Sequence, residues 1–499
     1  MKLRRLLIAN RGEIAVRIIR ACREATIESV AVYSDADAQA VHVREADRAV
    51  RIGPASPAES YLSINALIEA ARVTDSDAVH PGYGFLSERA AFARACEEAG
   101  LVFVGPPAAV IERMGSKIAA RALMQSAGVP VVPGSTPTDQ SDDGVRAAAR
   151  TIGYPVLVKA SAGGGGKGMR LVRSDVEARE LVSAARRESA SAFGDGTLYV
   201  ERVVERPRHV EVQVFADAHG HVVHLFEREC SLQRRHQKIV EESPSPALTP
   251  ALRDKMGAAA VAAARASGYR NAGTVEFLVE GSGDHANFYF LEMNTRLQVE
   301  HPVTEAVTGV DLVQAQFAVA AGGTLPWEQR SLSTRGHAIE CRIYAEDPDQ
   351  NFLPQAGPLL LYREPVGPGI RVDSGVEEGG AIAVNYDPLL AKLIASAETR
   401  AACLSRLRSA LRAYPVLGIR TNIPFLLRLI DVPDFVEGRL HTGFVDEHMP
   451  SLTGCTSPDG YVYAAAALAA GAGAGAATAA TSGPPSTPDP WSQPTGWGR

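Results

Sequence analysis

Polar and apolar residues alternate along one stretch near the middle of the chain. Residues 290–300 read FLEMNTRLQVE, and every even position from 292 is polar, while the odd positions beyond it are apolar except for Thr295. In an extended strand, side chains two positions apart point to the same face. The alternation therefore predicts a strand with one polar face, made of Glu292, Asn294, Arg296, Gln298 and Glu300.

Such alternation is also typical of an ordinary amphipathic strand with one solvated face. A solvated face usually carries interchangeable Lys, Glu, Thr and Ser, whereas this one combines carboxylates, amides and a guanidinium. These groups can ligate a metal, clamp an anion and accept a proton. We therefore interpret the polar face as part of an enzyme site, and we expect strict strand geometry only as far as about Thr295.

Short apolar runs alternate with helical patterns up to about Pro106, which is typical of an α/β fold with a parallel sheet. The predicted strands are Leu6–Ala9, Ser29–Tyr33, Ala78–Val79 and Val102–Val104, and the predicted helices are Glu13–Glu24, Tyr61–Arg72 and Ala90–Ala99. Asn10-Arg11-Gly12-Glu13 follows the first strand but lacks the G-x-G-x-x-G spacing, so a dinucleotide fold is not favoured.

From about Met114 the pattern changes to α+β with antiparallel pieces. We predict helices at Ser116–Ala127, Val176–Ser189 and Pro250–Ser267, strands at Tyr154–Lys159, Met169–Arg173 and Leu198–Val204, and two hairpins, His209–Phe215 with His221–Glu227 and Thr274–Val279 with Phe288–Glu292. A third region has predicted strands at Ala338–Ala345, Leu359–Tyr362 and Ala391–Ser396.

These patterns divide the chain into four predicted parts: residues 1–113, 114–334, 335–450 and 451–499. The last part is rich in Ala, Gly, Pro, Ser and Thr, which predicts a linker or disordered tail.

Composition narrows the class of protein. The chain has 499 residues, of which 46% are hydrophobic, enough for several buried cores, and its formal net charge of -6 argues against a nucleic-acid surface. Its six cysteines are scattered, without disulfide or zinc spacing. No signal-peptide core or membrane span is predicted. We therefore expect a cytoplasmic protein with reduced thiols.

A glycine-rich loop follows one predicted strand. Lys159 ends the strand, and the loop contains Gly163, Gly164, Gly165, Gly166, Lys167 and Gly168. Glycine amides can approach phosphate oxygens closely, and a lysine on each side of the loop favours phosphate binding over a merely flexible hairpin. The loop is not a Walker A sequence. We predict that it covers the phosphates of a nucleotide.

Glu276 lies on the strand opposite Glu292 in the second predicted hairpin, which brings both carboxylates near Asn294. An oxygen-only set of this kind suits Mg²⁺ held together with phosphates, although solvated carboxylates are the alternative. Local sequence leaves His209 and Arg342 undecided between packing and function. The basic cluster Arg234–Lys238 is interpreted as a phosphate or small-anion site because the chain as a whole is acidic.

Together these segments resemble the biotin carboxylases, the ATP-grasp subunit of biotin-dependent carboxylases such as acetyl-CoA carboxylase. The resemblance runs from Leu6 to about His448. Its N-terminal signatures are IANRGEIA at 8–15 and HPGYGFLSE at 80–88, and its central ones are the glycine loop, residues 227–242 and EMNTRLQVEHPVTE at 292–305. It implies a central ATP-grasp domain, with a mobile glycine-rich lid at about 131–204, between an N-terminal parallel-sheet domain and a C-terminal α+β domain.

The resemblance also implies roles for individual residues. The phosphates of ATP would contact Lys117, Lys159 and the glycine loop, its adenine would lie at Glu201, Arg202 and Val204, and His209, Gln233 and His236 would line the rest of the nucleotide site. Lys238 would be a catalytic residue that helps to bind ATP and the carboxyphosphate intermediate, and Arg296 would also be catalytic. Mg²⁺ (or Mn²⁺) would be held by Glu276, Glu292 and Asn294. Bicarbonate would be held by Arg296, Gln298 and the Val299 backbone and deprotonated by Glu300. Arg342 would stabilise the biotin enolate, and Tyr83 would lie near the biotin ring.

There are departures from the family pattern and an absence. Glu229 stands where the family commonly has Asp, and the loop 280–287 is longer than in compact members. The chain contains no Met-Lys-Met biotin attachment motif. Biotin is therefore expected as a substrate on a separate biotin carboxyl carrier protein, with carboxyltransferase subunits as further partners, unless the chain is a fragment. The resemblance suggests a homodimer.

Three functions stay open on the sequence. The leading one is ATP-dependent carboxylation of carrier-bound biotin with bicarbonate, the first half-reaction of an acyl-CoA carboxylase, with acetyl-CoA favoured as final acceptor. A second is another ATP-grasp ligase that activates bicarbonate, such as one making carbamoyl phosphate. A third is a nucleotide-binding regulatory subunit without catalysis, against which the complete polar face argues.

Overall fold

A five-stranded parallel sheet organises the first hundred residues of the computed structural model, which describes residues 2–161 and 168–454. Its strand order is β3-β2-β1-β4-β5. Leu6 and Ile8 of β1 pack towards α1, whereas Leu7 packs on the opposite face towards α3 and α4, as period-2 alternation requires. The elements are β1 Arg5–Ile8, α1 Gly12–Glu24, β2 Glu28–Ser34, α2 Val41–Glu45, β3 Arg48–Gly53, α3 Ile64–Val73, β4 Ala78–His80, α4 Ala90–Glu98, β5 Val102–Phe103 and α5 Ala108–Gly115.

A small four-stranded antiparallel sheet follows, with strand order β6-β9-β7-β8. It has its own apolar core, in which Val156 and Val158 of one strand pack with Val145 and Val182 of two helices. The elements are α6 Lys117–Ser126, β6 Gly134–Ser135, α7 Asp142–Ile152, β7 Val156–Ala160, β8 Arg170–Val172, α8 Asp175–Phe193 and β9 Leu198–Arg202.

An eight-stranded antiparallel sheet forms the centre, in the order β14-β13-β10-β11-β12-β15-β22-β20. One end of this sheet packs on α9, whose Met256, Ala260 and Ala264 lie against Val212 and Phe277. The elements are β10 Arg208–Ala216, β11 Val222–Arg234, β12 Gln237–Ser243, α9 Pro250–Ser267, β13 Asn271–Glu280, β14 Asn287–Asn294, α10 His301–Thr308 and α11 Leu312–Ala320.

The third region completes the same sheet. β15 bonds to β12 through pairs such as Val240 with Cys341, and its apolar face, together with that of β22, packs on α12 and α13. The elements are β15 His337–Tyr344, β16 Glu346–Asp347, β17 Leu353–Pro354, β18 Gly357–Pro358, β19 Leu361–Tyr362, β20 Ile370–Ser374, β21 Ala381–Ile382, β22 Leu389–Ala397, α12 Arg400–Arg412, β23 Val416–Leu417, α13 Ile423–Ile430, α14 Pro433–Val436 and α15 Phe444–Leu452.

The predicted fold classes are confirmed: a parallel α/β region precedes antiparallel α+β regions. Helix α9 has the predicted bounds, with the Thr249 side chain accepting from the Leu252 N–H as an N-cap. The strand predicted from the polar alternation ends at Asn294, and residues 295–300 form a turn instead. None of the described helices is both long and apolar enough to cross a membrane.

The shared sheet leads to a prediction about fragments. The boundary predicted near residue 334 separates β12 from β15, which are neighbours in one sheet. A fragment of residues 1–334 would expose the edge of β12 and the apolar side chains of Leu232, Ile239 and Val240, which pack against the third region. We expect this fragment to lose cooperative thermal unfolding in circular dichroism. A fragment of residues 1–453 should retain the transition of the full chain, and a sharp transition in the shorter fragment would contradict the shared sheet.

Candidate active site

One cavity of about 450 Å³ collects most of the predicted site residues. It lies over one face of the eight-stranded sheet, beside the small sheet, and takes side chains from both. Thirteen predicted residues line it: Lys117, Lys159, His209, Gln233, His236, Lys238, Glu276, Glu292, Asn294, Arg296, Gln298, Val299 and Arg342. Glu300 is fully buried directly behind Lys238 and Arg342.

Charged residues on four neighbouring strands stand in register across the floor of this cavity. Glu292 of β14 is paired with Glu276 of β13, Glu276 with Glu211 of β10, and Glu211 with Arg228 of β11. Residues directly opposite on one face of an antiparallel pair have closely spaced side chains. The sheet therefore places three carboxylates in one row, and only cations placed among them can keep those carboxylates ionised.

The Lys238 ammonium supplies most of that positive charge. Its Nζ lies 2.5 Å from Glu211 Oε2, 2.8 Å from Glu276 Oε1 and 2.7 Å from Glu300 Oε1. Burial lowers the pKa of Lys238, but the three carboxylates outweigh burial and raise it well above its usual range. Lys238 is therefore a fixed cation whose three donors are all engaged.

A fully buried guanidinium supports the same group of acids from below. Arg228 donates from Nε to Glu211 Oε1 at 2.6 Å and from its terminal nitrogens to Gln213, Thr304 and Thr274 at 2.8–3.1 Å. Every nitrogen of the guanidinium thus has an acceptor, as a buried arginine requires. Glu211 is held between this guanidinium and the Lys238 ammonium.

Glu300 is bound by two cations. Its Oε1 faces Lys238, and its Oε2 accepts from Arg342 at 3.0 Å. Burial raises the pKa of Glu300, but Lys238, Arg342 and Arg228 outweigh burial and hold it well below its usual range. Glu300 is therefore an ionised carboxylate that can accept a proton only when these cations are shared with another anion.

Arg342 is in turn anchored by a second acid. Its Nε and a terminal nitrogen lie 2.6 and 2.5 Å from Glu241 Oε1. Burial raises the pKa of Glu241 to about 7, and the nearby Glu300 adds to this rise, although the Arg342 guanidinium lowers the pKa. Arg342 therefore spans two buried carboxylates, Glu241 and Glu300.

The turn after β14 keeps three members of the polar alternation together even though the strand has ended. Arg296 donates to Gln298 Oε1 at 2.9 Å and to Asn294 Oδ1 at 3.2 Å. Its Nε also donates to Glu88 Oε2 at 3.0 Å, and the Thr295 N–H donates to Glu88 Oε1 at 3.0 Å. Glu88 belongs to residues 80–88, so this N-terminal signature fixes the turn that carries the predicted anion clamp.

A second cavity of about 350 Å³ adjoins the first, with Lys159, His209, Gln233 and His236 lining both. Glu201, Arg202 and Val204, predicted at the adenine, line the second cavity. Glu201 also accepts from Lys159 Nζ at 2.6 Å and from Arg121 at 2.6 Å. One elongated site thus has an apolar end and a strongly charged end.

His209 connects the two ends. Gln233 Nε2 donates to His209 Nδ1 at 2.8 Å, so the proton lies on Nε2, 3.0 Å from Glu276 Oε2. Burial lowers the pKa of His209, but Glu276 outweighs burial and raises it. The Nε2 side of His209 is therefore a second polar neighbour of Glu276, beside the Lys238 ammonium.

Several predicted residues are not brought to the cavity. The Tyr83 hydroxyl donates to Glu13, and Tyr83 is not among the described residues that line either cavity. Gly163–Lys167 lie outside the described residues, and Gly168 is buried near Ala160. The interpretation of Arg234 as part of an anion site is wrong: it donates to Glu346 at 2.8 and 2.9 Å and stacks over Phe352.

Some lining residues were not predicted. Met169 and Leu291 contribute apolar surface, and Thr442, Gly443 and Asp446 reach the second cavity from the end of the third region. Leu291 faces the cavity because the strand register shifts between Glu276 and Phe277. The shift turns Leu291 away from the apolar face of the strand. Neither the shift nor the position of residues 442–446 leaves a local signal in the sequence.

The two-cavity site, with Lys159 of the small sheet and Lys117 of α6 set beside carboxylates from a large antiparallel sheet, defines a ligase of the ATP-grasp class. Three sequence families match the chain: "Biotin carboxylase, N-terminal domain" at residues 2–111, "Carbamoyl-phosphate synthase L chain, ATP binding domain" at 116–328 and "Biotin carboxylase C-terminal domain" at 340–447.

Individual proteins agree with these matches. The biotin carboxylase of Halalkalibacterium halodurans is 55% identical over 451 residues, which cover 90% of this chain and 99% of that protein. The mitochondrial methylcrotonoyl-CoA carboxylase subunit alpha of Rattus norvegicus is 51% identical, but this chain spans only 62% of it. The crystal structure of the Hydrogenobacter thermophilus 2-oxoglutarate carboxylase biotin carboxylase domain dimer, in complex with MgADP, ADP and bicarbonate, superposes with a TM-score of 0.87 at 44% identity, covering 91% of this chain and all of that one.

The chain belongs to the biotin carboxylase family, which are ATP-dependent ligases. The resemblance seen in the sequence is thereby confirmed.

Removing the Lys238 ammonium should destabilise the protein in a pH-dependent way. Lys238→Met leaves Glu211, Glu276 and Glu300 without their shared cation, which should cost about 3–5 kcal/mol at about pH 8. The unpaired acids will have raised pKa values in the folded variant, so its stability is present below those values and is lost as pH rises through them. The deficit relative to wild type should therefore shrink towards about pH 5.

Urea unfolding midpoints at several pH values measure this deficit. Lys255→Met, which removes an exposed lysine of α9, is the matched control and should leave the midpoint unchanged. An equal deficit at all pH values would show that Lys238 acts by packing alone.

Proposed function

We propose that the chain uses ATP and bicarbonate to carboxylate biotin carried on another protein. The observation that carries this proposal is Glu300, a buried carboxylate held ionised by Lys238 and Arg342 at the end of a cavity whose other end presents Lys117 and Lys159. A proton acceptor, an anion clamp and phosphate-binding lysines are thereby aligned along one site.

Lys117 and Lys159 are proposed to bind the phosphates of ATP. Burial lowers the pKa of Lys117, while Glu292 opposes that effect. Lys159 is oriented by its 2.6 Å contact with Glu201. Adenine would lie in the second cavity beside Arg202 and Val204. Phosphoryl transfer depends mainly on such positioning and charge neutralisation.

The acids on the cavity floor fit a divalent cation. Burial and Glu276 raise the pKa of Glu292, which marks negative charge that the nearby lysines do not fully balance. Glu276, Glu292 and Asn294 offer only oxygen ligands, the kind that Mg²⁺ or Mn²⁺ takes. When bound, the ion would neutralise charge on the ATP phosphates.

Arg296, Gln298 and the Val299 N–H are proposed to hold bicarbonate, and Glu300 to remove its proton. The arriving anion would share Lys238 and Arg342 with Glu300, which raises the pKa of Glu300 from its depressed value and makes it a better base. The bicarbonate oxygen then attacks the γ-phosphorus, and ADP leaves. The product is carboxyphosphate.

Carboxyphosphate would decompose to carbon dioxide and phosphate, and phosphate would take the N1 proton of biotin. The N1 nitrogen then attacks carbon dioxide to give carboxybiotin. Arg342 is proposed to stabilise the enolate oxygen of biotin, because its guanidinium keeps its own proton. Its bond to Glu241 holds it in place when Glu300 is engaged elsewhere.

One observation supports a second candidate function. Residues 116–328 match an ATP-binding domain described from carbamoyl-phosphate synthase. That reaction also activates bicarbonate, but with an amine donor. Stimulation of bicarbonate-dependent ATP hydrolysis by free biotin would favour biotin carboxylation, whereas stimulation by an amine donor alone would favour the alternative.

Substituting the proposed base should abolish turnover. Glu300→Gln cannot accept the bicarbonate proton, so biotin-stimulated ATP hydrolysis should fall at least about 100-fold. Nucleotide binding, measured by calorimetry, should be retained. Biotin-stimulated turnover that survives in Glu300→Gln would refute the proposed mechanism.

Glu340→Gln is the matched control for that substitution. Glu340 is a fully buried acid of β15, outside the cavity, whose two carboxyl oxygens accept no hydrogen bond from the described residues. Burial raises its pKa well above the usual range, so the neutral amide replaces a neutral acid. This variant should keep nearly wild-type turnover.

The partners and the final acceptor follow from the same proposal. Biotin carboxyl carrier protein and carboxyltransferase subunits are expected to associate with the chain, which is itself expected to be a homodimer. Its relatives are named for different acceptors, methylcrotonoyl-CoA and 2-oxoglutarate among them, so acetyl-CoA remains a prediction. Native co-purification followed by mass spectrometry should recover one biotinylated protein and one carboxyltransferase. A carboxyltransferase that uses an acceptor other than acetyl-CoA would refute that choice alone.

A further inference from the structure

The Val299 N–H is free to bind an anion because two buried side chains hold the neighbouring carbonyls. Val299 lines the cavity, and in the part of the chain that the structure describes its N–H has no acceptor. It lies in the turn between β14 and α10, where no strand partner fixes the backbone. The direction of this N–H must therefore be set by other contacts.

The His301 side chain orients the peptide plane between Gln298 and Val299, the first of the two planes that flank Val299. Its Nδ1 lies 2.8 Å from the Gln298 carbonyl oxygen, so Nδ1 carries the proton and donates it. The peptide between Gln298 and Val299 is trans, and in a trans peptide the N–H points opposite to the C=O. Holding the Gln298 carbonyl on the His301 side directs the Val299 N–H towards the cavity.

The His301 ring has no other described hydrogen bond. It is fully buried, and its Nε2 accepts from no donor among residues 2–161 and 168–454. Burial and the nearby Lys392 lower the pKa of His301 well below its usual range, so the ring is neutral. Its one hydrogen bond is therefore with the backbone of this turn, since the Glu305 carboxylate lies 4.0 Å from Nε2.

Lys392 sets the second plane. This fully buried lysine of β22 donates from Nζ to the Val299 carbonyl oxygen at 2.9 Å. Its Nζ also lies 3.2 Å from Glu13 Oε2 and 3.6 Å from Asp373 Oδ2. The ammonium thus fastens the turn to α1 and to β20.

We propose that His301 and Lys392 are positioning residues that aim the Val299 N–H at bicarbonate. Neither side chain lines the cavity, so neither contacts a ligand there. Each fixes one of two successive carbonyls on the far side of the turn, which leaves the amide and the Glu300 carboxylate on the near side. This inference rests on the proposed function, because it assumes that bicarbonate occupies this end of the cavity.

The test distinguishes loss of the Nδ1–H donor of His301 from loss of its side-chain volume. His301→Leu removes the donor, whereas His301→Asn keeps an amide N–H near the position of Nδ1. We expect His301→Leu to raise the KM for bicarbonate by on the order of tenfold to a hundredfold, because small misplacements of a positioning group have effects of that size. The KM for ATP should change less than twofold, and His301→Asn should restore most of the bicarbonate affinity.

A charge-balanced pair provides a second measurement. Lys392→Gln combined with Glu13→Gln removes one positive and one negative buried charge and weakens the hold on the Val299 carbonyl. It should show the same selective rise in the bicarbonate KM, and it decides the question if His301→Leu does not fold. Thermal midpoints verify that each variant is folded.

The outcomes distinguish this inference from the proposed function. Wild-type ATP hydrolysis that does not depend on bicarbonate would refute the proposed function itself. If wild type depends on bicarbonate, an unchanged bicarbonate KM in the variants would refute the positioning role alone. So would an equal rise in the KM values for ATP and bicarbonate, since a general structural defect would affect both.

Discussion

The Lys238 ammonium joins three carboxylates that come from three different parts of the chain, and the arrangement of the site depends on this contact. Glu211, Glu276 and Glu300 each lie within 2.5–2.8 Å of its Nζ. Unscreened carboxylates this close repel one another by several kcal/mol in a buried environment. Lys238 lies between these acids, with Arg228 behind Glu211, and the two cations offset the repulsion that their shared position creates.

This concentration of charge does not stabilise the fold by itself. Taking ions out of water costs more than a buried ion pair usually returns, so a row of charged residues inside a sheet must be supported by packing elsewhere. The same strands provide that packing on their other face, where Val210, Val275 and Phe277 lie in one apolar core with α9. Period-2 alternation thus divides each strand between chemistry on one face and stability on the other.

The sequence predicts those parts of the site that depend on local periodicity. Alternation located the strands around Glu276, Glu292 and Arg342, and alanine-rich composition located α9, because these signals arise from neighbours along the chain. Family motifs added the residues of the turn after Asn294, where alternation continues in the sequence although the strand has ended. The roles given to these residues remain predictions, whereas their common position around one cavity is observed.

Pairings over long sequence distances could not be predicted. Strand β12 went unrecognised because both Ile239 and Val240 are apolar and because the turn before it, Arg235–His236, has positive φ without glycine or asparagine. Arg234 was misread because its partner, Glu346, lies more than a hundred residues away. The contacts of Glu241 with Arg342 and of Lys392 with Val299 are of the same kind. They join regions that the sequence treats as separate domains, and only the folded sheet brings them together.

On the proposed function, the reaction would depend on bound substrates because the hydrogen bonds of Lys238 and Arg342 are already made to carboxylates, Glu300 among them. Both cations are engaged by Glu300, so its carboxylate is a weak base with a depressed pKa. Anionic substrates compete for the same two cations, and each contact that they take from Glu300 makes it more basic. The substrates themselves would therefore make Glu300 basic enough to take the bicarbonate proton. Glu241 and Glu211 retain Arg342 and Lys238 during this exchange, so the cations can change partners without leaving the site.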